Sequence, residues 1–189
     1  MNIFYVDRDP VVAAQCLVDK HVVKMILESA QLLSTAHRIL DGEERVQQRL
    51  IPGTLENPMY RKHRSWKLPD SRDDTMYQAT HVNHPSAVWC RTSIENYLWL
   101  ADHFHALLCE YTYRYGKIHK CALDISYLLM SPPLELKEWD MTTMPSCMPD
   151  EYKVSDDPCT NYRMYYTIGK SKLHKWTNRQ PPEWINGND

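Results

Sequence analysis

DKHVVKMILESAQLLSTAHRIL, residues 19–40, is the stretch on which the fold turns. No glycine or proline interrupts it, and Val22, Ile26, Ser29, Leu33, Ala36 and Leu40 recur on one side at 3.6-residue spacing, with Met25, Leu32 and Ile39 beside them. The polar residues His21, Lys24, Glu28, Gln31, Thr35 and Arg38 fall at alternating intervals of three and four, so they form one narrow stripe. This pattern predicts a helix of about 21 residues, apolar over most of its girth. Asp41-Gly42 supplies the stop, with Gly42 suited to the left-handed position after a helix. Two readings of the stripe stay open: the wall of a polar cleft in a helical core, or a solvated outer face.

Working outward, Asp9-Pro10 opens a first helix running to about Leu17, with Asp9 capping and proline in the first turn. Asn83-His84-Pro85 opens a second long helix, whose core side is marked by Ala87, Cys90, Ile94, Tyr97, Ala101 and Leu108 and which Gly116 ends near Tyr115. A shorter helix is predicted over His119 to Met130, and a last one from Asp157-Pro158 to about Trp176. Residues 43–81 and 131–157, punctuated by proline, read as long loops. Five glycines against twelve prolines, in 189 residues that are 43% apolar, predict an all-α fold: a single compact helical domain, residues 1–189, built on two long helices.

The opening MNIFYVDRDP lacks a basic region followed by an apolar run, and no stretch approaches the length of a bilayer span, so the expected location is the cytoplasm, without membrane partners. Cys16, Cys90, Cys109, Cys121, Cys147 and Cys159 form no C-x-x-C pair and read as small buried thiols. Asp102, His105 and Cys109 recur at helical spacing, but Phe104 and Leu108 crowd that face; no metal and no cofactor is expected. There is no phosphate-binding glycine loop, dinucleotide fingerprint or nucleophile elbow, which excludes the common kinases, dehydrogenases and α/β-hydrolases. A net charge of −2 does not mark a nucleic-acid binder, so local distribution decides. Arg61, Lys62, Arg64 and Lys67 make one basic patch, and Arg163, Lys170, Lys172, Lys175 and Arg179 lie among Tyr162, Tyr165, Tyr166 and Trp176 with no intervening acid. Cations hold phosphates and flat rings stack on bases; the same tyrosines equally suit inward packing with lysines reaching outward.

The combination of DKHVVKMILE, the NHPSAVWCR run and the terminal YYTIGK resembles the phage-type pyrimidine-dimer DNA glycosylases, small all-α proteins, and the chain is also similar to small proteins carried by tailed phages. In that family Asp-x-His opens the long first helix and the catalytic glutamate follows seven residues after the histidine, as Glu28 follows His21. The family's later features fall on His84 and on Tyr165, Tyr166, Gly169 and Lys170.

The resemblance implies a phage-encoded DNA repair enzyme acting in the host cytoplasm. It would cleave the N-glycosidic bond of a damaged or modified base in duplex DNA, with abasic lyase chemistry where an amine is the nucleophile. Glu28, His21 and Lys24 are then the catalytic candidates. Gln31, Arg38, Arg61, Lys62, Arg64, Lys67, His84, Arg163, Tyr165, Tyr166, Lys170, Lys172 and Lys175 are the nucleic-acid-binding candidates.

The departure is the nucleophile. The family uses the amine of a threonine exposed by removal of the initiator methionine, whereas residue 2 here is Asn2. An attacking amine would be that of Met1 or Lys24; Lys24 equally reads as an ion-pair partner of Glu28 or a phosphate contact, and without an amine Glu28 would activate water. The alternative function is a non-catalytic nucleotide, nucleic-acid or host-protein binder in phage–host conflict. DNA or RNA, base identity and oligomeric state stay open.

Overall fold

In the computed structural model, residues 1–54 and 57–187 are described, except for the side chains of residues 49–54, 57–59 and 61. The 19–40 stretch is one helix, α2, over Asp19–Asp41, and buries Val22, Met25, Ile26, Leu32, Leu33 and Ala36. Before it, α1 spans Pro10–Cys16, and the Asp9 carboxylate accepts from the amides of Val11 and Val12, which have no partner inside the helix. Both α1 and α2 pack on α5, described below, and the buried apolar residues form a cluster that includes the N-terminal segment Ile3 to Val6. The chain is predominantly helical, and no helix among the described residues is long and apolar enough to cross a membrane.

The all-α expectation needs one correction. Residues 43–67, read as loop, form an antiparallel hairpin: β1, Glu43–Thr54, pairs with β2, Asn57–Lys67, in the register Glu43↔Lys67 to Thr54↔Asn57. Gly42, at its root, is also not left-handed, with φ −98° and ψ 154°. What requires glycine there is close approach: a Cβ would lie 2.4 Å from the Arg38 carbonyl oxygen and 3.2 Å from that of Lys67. Both obstacles are backbone and cannot swing aside. Gly42→Ala should therefore lower stability by about 1–3 kcal/mol, read as a shift in the urea midpoint at constant slope.

After a short helix α3, Arg72–Thr75, the second long helix is divided. Helix α4 covers Pro85–Cys90 and α5 covers Ile94–Tyr115. The division falls where Ser93 begins a new helix, its hydroxyl accepting from the Asn96 amide at 3.2 Å. Gly116, at φ 62°, closes α5 in the left-handed conformation the sequence suggests. Helix α6 is only Lys120–Asp124, and a 3₁₀ turn over Ser126–Met130 completes the expected segment. Helix α7, Pro158–Met164, loosens into a wide π turn over Tyr165–Gly169, so the last helix stops well short of Trp176.

Candidate active site

Glu28 is the point where the N-terminal segment meets α2. Its Oε1 lies 3.1 Å from Lys24 Nζ one turn earlier, and its Oε2 accepts from the Asn2 backbone amide at 3.3 Å. The two ends of the pair differ: the Glu28 side chain is 15% exposed and that of Lys24 66%. The carboxylate is thus lodged in the protein while the ammonium reaches into solvent.

Asn2 is fixed on every side. Its Nδ2 donates to the Cys147 carbonyl at 2.8 Å, and its Oδ1 accepts from the Tyr162 hydroxyl and from the Ile3 amide, each at 2.8 Å. The adjoining Phe4 stacks on the His21 ring, with centroids 4.3 Å apart and planes 14° from parallel. Two residues of the N-terminal segment therefore clamp it onto α2, one through Glu28 and one through His21.

His21 is buried, and burial, reinforced by the charges of Lys170 and Lys24, pushes its pKa down to about 4. The Tyr166 hydroxyl accepts from the Val18 amide at 2.9 Å and lies 2.7 Å from His21 Nδ1, so its own hydrogen is directed to that nitrogen of a neutral imidazole. His21 consequently positions Phe4 and the N-terminal segment. Tyr166 is correspondingly no base-stacking residue: it is fully buried with its hydroxyl committed, a correction that follows from its place beneath α2.

His84 caps α4, its Nδ1 accepting from the Ser86 amide at 3.2 Å. Its pKa is lowered first by burial, then by the N-terminal amine and His81, while Glu28 opposes them. Three groups thus lie near His84: the N-terminal amine, His81 and Glu28. His81 holds a left-handed backbone at φ 50°, strained for a residue with a side chain, and its Nδ1 is 2.8 Å from the Thr80 hydroxyl.

A cavity of about 430 Å³ opens beside the cluster, bounded by His84, Pro85, Pro145 to Pro149 and Lys153. It shares His84 with the site, and Cys147 ties its wall to Asn2. Lys170 stands at the other side, its Nζ 4.6 Å from the centre of the half-buried Tyr165 ring, and Tyr165 also stacks toward Phe4 at 6.4 Å. Half-exposed Gln31 follows Glu28 along α2, and Lys172 and Lys175 are exposed farther down the chain. Met1, Asn2, Phe4 and His81 carry no local pattern; only tertiary folding brings them here.

Arg38 is the second correction. Its side chain has no exposure, and its donors go to the carbonyls of Tyr77, Trp66, Asp73 and Met76 and to the Asp73 carboxylate, leaving nothing for a phosphate. Thr35 likewise bonds Thr80, so the lower half of the polar stripe holds the 66–80 segment, while in the upper half Lys24 is exposed and Glu28 and Gln31 are half-buried. Arg163 is drawn inward too, donating to the Val6 carbonyl at 2.9 Å and to Asp7 at 3.1 Å. Lys62, Arg64 and Lys67 sit on the hairpin, exposed; the side chain of Arg61 lies outside the described residues.

A larger cavity, about 470 Å³, lies elsewhere between α1 and α5 and includes Asp102, His105, Cys109 and Glu110. Its chief carboxylate is spent, since Glu110 is ion-paired with Arg114 at 2.7 Å and Arg179 at 2.8 Å. His105 Nδ1 donates to the Ala101 carbonyl at 2.8 Å, and no group of three or more metal-ligating side chains is assembled among the described residues. Size alone does not make it the better site, because Lys24 and the N-terminal segment meet Glu28 directly. The chain matches no protein-family model, no curated protein and no solved structure.

Proposed function

We propose that the protein is a DNA-processing enzyme of the glycosylase type, which cleaves the N-glycosidic bond of a damaged or modified base with Glu28 as its catalytic carboxylate. One observation carries the reading: the N-terminal segment and Lys24 converge on a single lodged carboxylate, seven residues after a buried histidine that positions the segment. Attack of an unprotonated amine on the sugar C1′ forms a C–N bond as the bond to the base breaks. The base leaves with a proton. The nitrogen lone pair then opens the sugar ring to a Schiff base. Glu28 stabilises the developing positive charge, takes the proton lost by the attacking nitrogen and returns it to the ring oxygen freed as the ring opens, while solvent protonates the departing base. Such chemistry requires a nucleotide turned out of the stack, and the cavity beside His84 offers a recess for it.

Glu28→Gln tests this directly, because glutamine keeps an acceptor for the Asn2 amide while losing the charge. Base release from damaged duplex should fall by about 10²- to 10⁴-fold with the circular dichroism spectrum unchanged; full activity would end the proposal. Borohydride trapping on abasic DNA locates the nucleophile: an adduct that survives Lys24→Ala assigns the amine of Met1, one that vanishes assigns Lys24, and activity without any adduct assigns water. One observation favours the second reading, a non-catalytic binder: Lys24 and Glu28 already satisfy each other as a helical ion pair. Retained ligand binding with no base release by the wild-type protein would decide for it.

A further inference from the structure

We propose that the β1–β2 hairpin is an arm that enters a groove of double-stranded nucleic acid alongside the Glu28 site. A strand of 12 residues reaches roughly 40 Å at about 3.3 Å per residue, and among the described side chains the hairpin is rooted in the core only at its base. Trp66 is buried, as is Leu68 just beyond it, whereas Val46 and Tyr60 are 58% and 60% exposed and Arg45, Gln47, Gln48, Lys62 and Arg64 are open to solvent. Two-stranded ribbons without a covered face are marginal in water, and among the described side chains of this one those of Arg45 to Gln48, Tyr60, Lys62 and Arg64 lie open, a surface suited to a partner.

Charge names that partner. Residues 43–67 contain six Lys or Arg and three Glu in a chain whose net charge is −2. Glu43 and Glu44 sit at the root, paired with Arg45 at 3.5 Å and with Arg64. Register then gives the geometry. Residues directly opposite each other share a face and alternate along the strand. Arg45 and Lys67 therefore lie on one face with Gln47 and His63, and Lys62 and Arg64 on the other with Gln48 and Tyr60. A plate lying on phosphates needs cations on one face. Cations on both faces fit a ribbon between two rows of phosphates, and the major groove of a duplex, about 12 Å wide, admits a two-stranded ribbon.

The helix α2 sets the distance to the chemistry. From Glu28 to Gly42 it rises about 21 Å at 1.5 Å per residue, equivalent to roughly six steps of about 3.4 Å along a duplex strand. Residues 32–38 of α2 are buried, so a duplex that meets both the carboxylate and the arm runs over the 66–80 segment that covers them. The proposal rests on the glycosylase reading only in taking that duplex to be the substrate.

The test is equilibrium binding of a duplex of about 20 base pairs and of its single strand by the full-length protein, as a function of salt. Wild type is compared with Arg45→Gln/Lys62→Gln/Arg64→Gln, and thermal unfolding of both shows whether the variant is folded. A second variant, Arg45→Gln/Lys62→Gln, leaves Arg64 on the Trp66 ring, 5.1 Å from its centre, and covers the case in which the triple variant unfolds.

Each phosphate contact contributes about 0.9 to the salt slope. The triple variant should therefore lose between two and three units of slope for duplex and bind it roughly a hundredfold more weakly at 0.1 M salt. The double variant should lose between one and two units of slope. Unchanged slope and affinity in a folded variant would overturn the arm, as would an equal loss for single strand and duplex, which would mark a general phosphate clamp. Failure of the glycosylase reading is seen separately, as undiminished base release by Glu28→Gln, while a wild type that binds no duplex removes the arm as well.

Discussion

Arg38→Ala should cost about 5 kcal/mol or prevent folding altogether, the largest effect expected of any single substitution in α2. The guanidinium is fully buried, and each of its five N–H groups is used. Nε donates to the Tyr77 carbonyl at 2.6 Å, Nη1 to the Trp66 carbonyl at 2.8 Å and the Asp73 carboxylate at 2.6 Å, and Nη2 to the carbonyls of Asp73 at 2.9 Å and Met76 at 2.7 Å. The segment from Trp66 to Tyr77 is wrapped around this one side chain. Alanine would leave four carbonyls without this donor and the Asp73 carboxylate with the Leu68 amide but no counter-charge, and each buried orphan costs about 1–3 kcal/mol. Partial solvation of the loosened segment would return some of that cost. Arg38→Lys should not rescue, because an ammonium has three donors at a single point and cannot span carbonyls arranged around a planar fork. Urea unfolding measures the loss, and hydrogen exchange should show early opening of residues 66–77. A variant within 1 kcal/mol of wild type would mean that water replaces the guanidinium in full.

Arg38 also shows where a sequence stops being legible. The period of 3.6 in residues 19–40 located α2 to within a residue, because that signal depends on spacing alone, and the caps at Asp9 and Gly116 were legible for the same local reason. Periodicity placed Arg38 correctly on the stripe of Glu28 but carries no information on what lies above the stripe. One end is open and the other is roofed by a segment some 30 residues later. The hairpin was illegible for a complementary reason. Among its described side chains Trp66 alone is buried, so there is no apolar–polar alternation to read, and Pro52, Gly53 and Pro58 in the sequence imitate a loop. The break between α4 and α5 was foreshadowed only by Ser93, a capping residue inside an otherwise helical pattern. At the site, Glu28 and His21 stood out through their spacing, while Asn2 and Phe4 arrive by long-range contacts with α2 and with the 145–149 loop that no local pattern encodes.

Stability should collapse as the pH falls from about 6.5 to about 4, a window set by histidines. His21, His37 and His103 are all buried, and burial is the principal cause that holds each to about 4, assisted by Lys170 and Lys24 at His21 and by Arg72 at His37. Two of the three face opposing influences as well: Asp41 raises His37, and the bond to the Pro10 carbonyl raises His103. In the unfolded chain a histidine titrates near 6.5. Between the two values the unfolded state binds more protons than the native one, so lowering the pH favours unfolding, and the loss is complete once the pH passes below the native value. Each group contributes about 3 kcal/mol over that span, and together they match the whole folding free energy of an ordinary domain, about 5–15 kcal/mol.

The carboxylates predict a different window. Asp19, Asp41, Asp73 and Asp157 have lowered pKa values, so their stabilisation is present above the unfolded value near 4 and disappears only at more acidic pH. Urea midpoints measured from pH 7.5 to 4 separate the two, and a flat profile between 6.5 and 4.5 would refute the histidine origin. His103→Gln should flatten the profile by about one proton's share, since glutamine can still donate to the Pro10 carbonyl but does not titrate. At His21 the same proton reaches the site: a protonated Nδ1 cannot accept from Tyr166, and the charge it brings is buried against Phe4. Activity attributed to Glu28 should therefore fall with the acid transition of the fold.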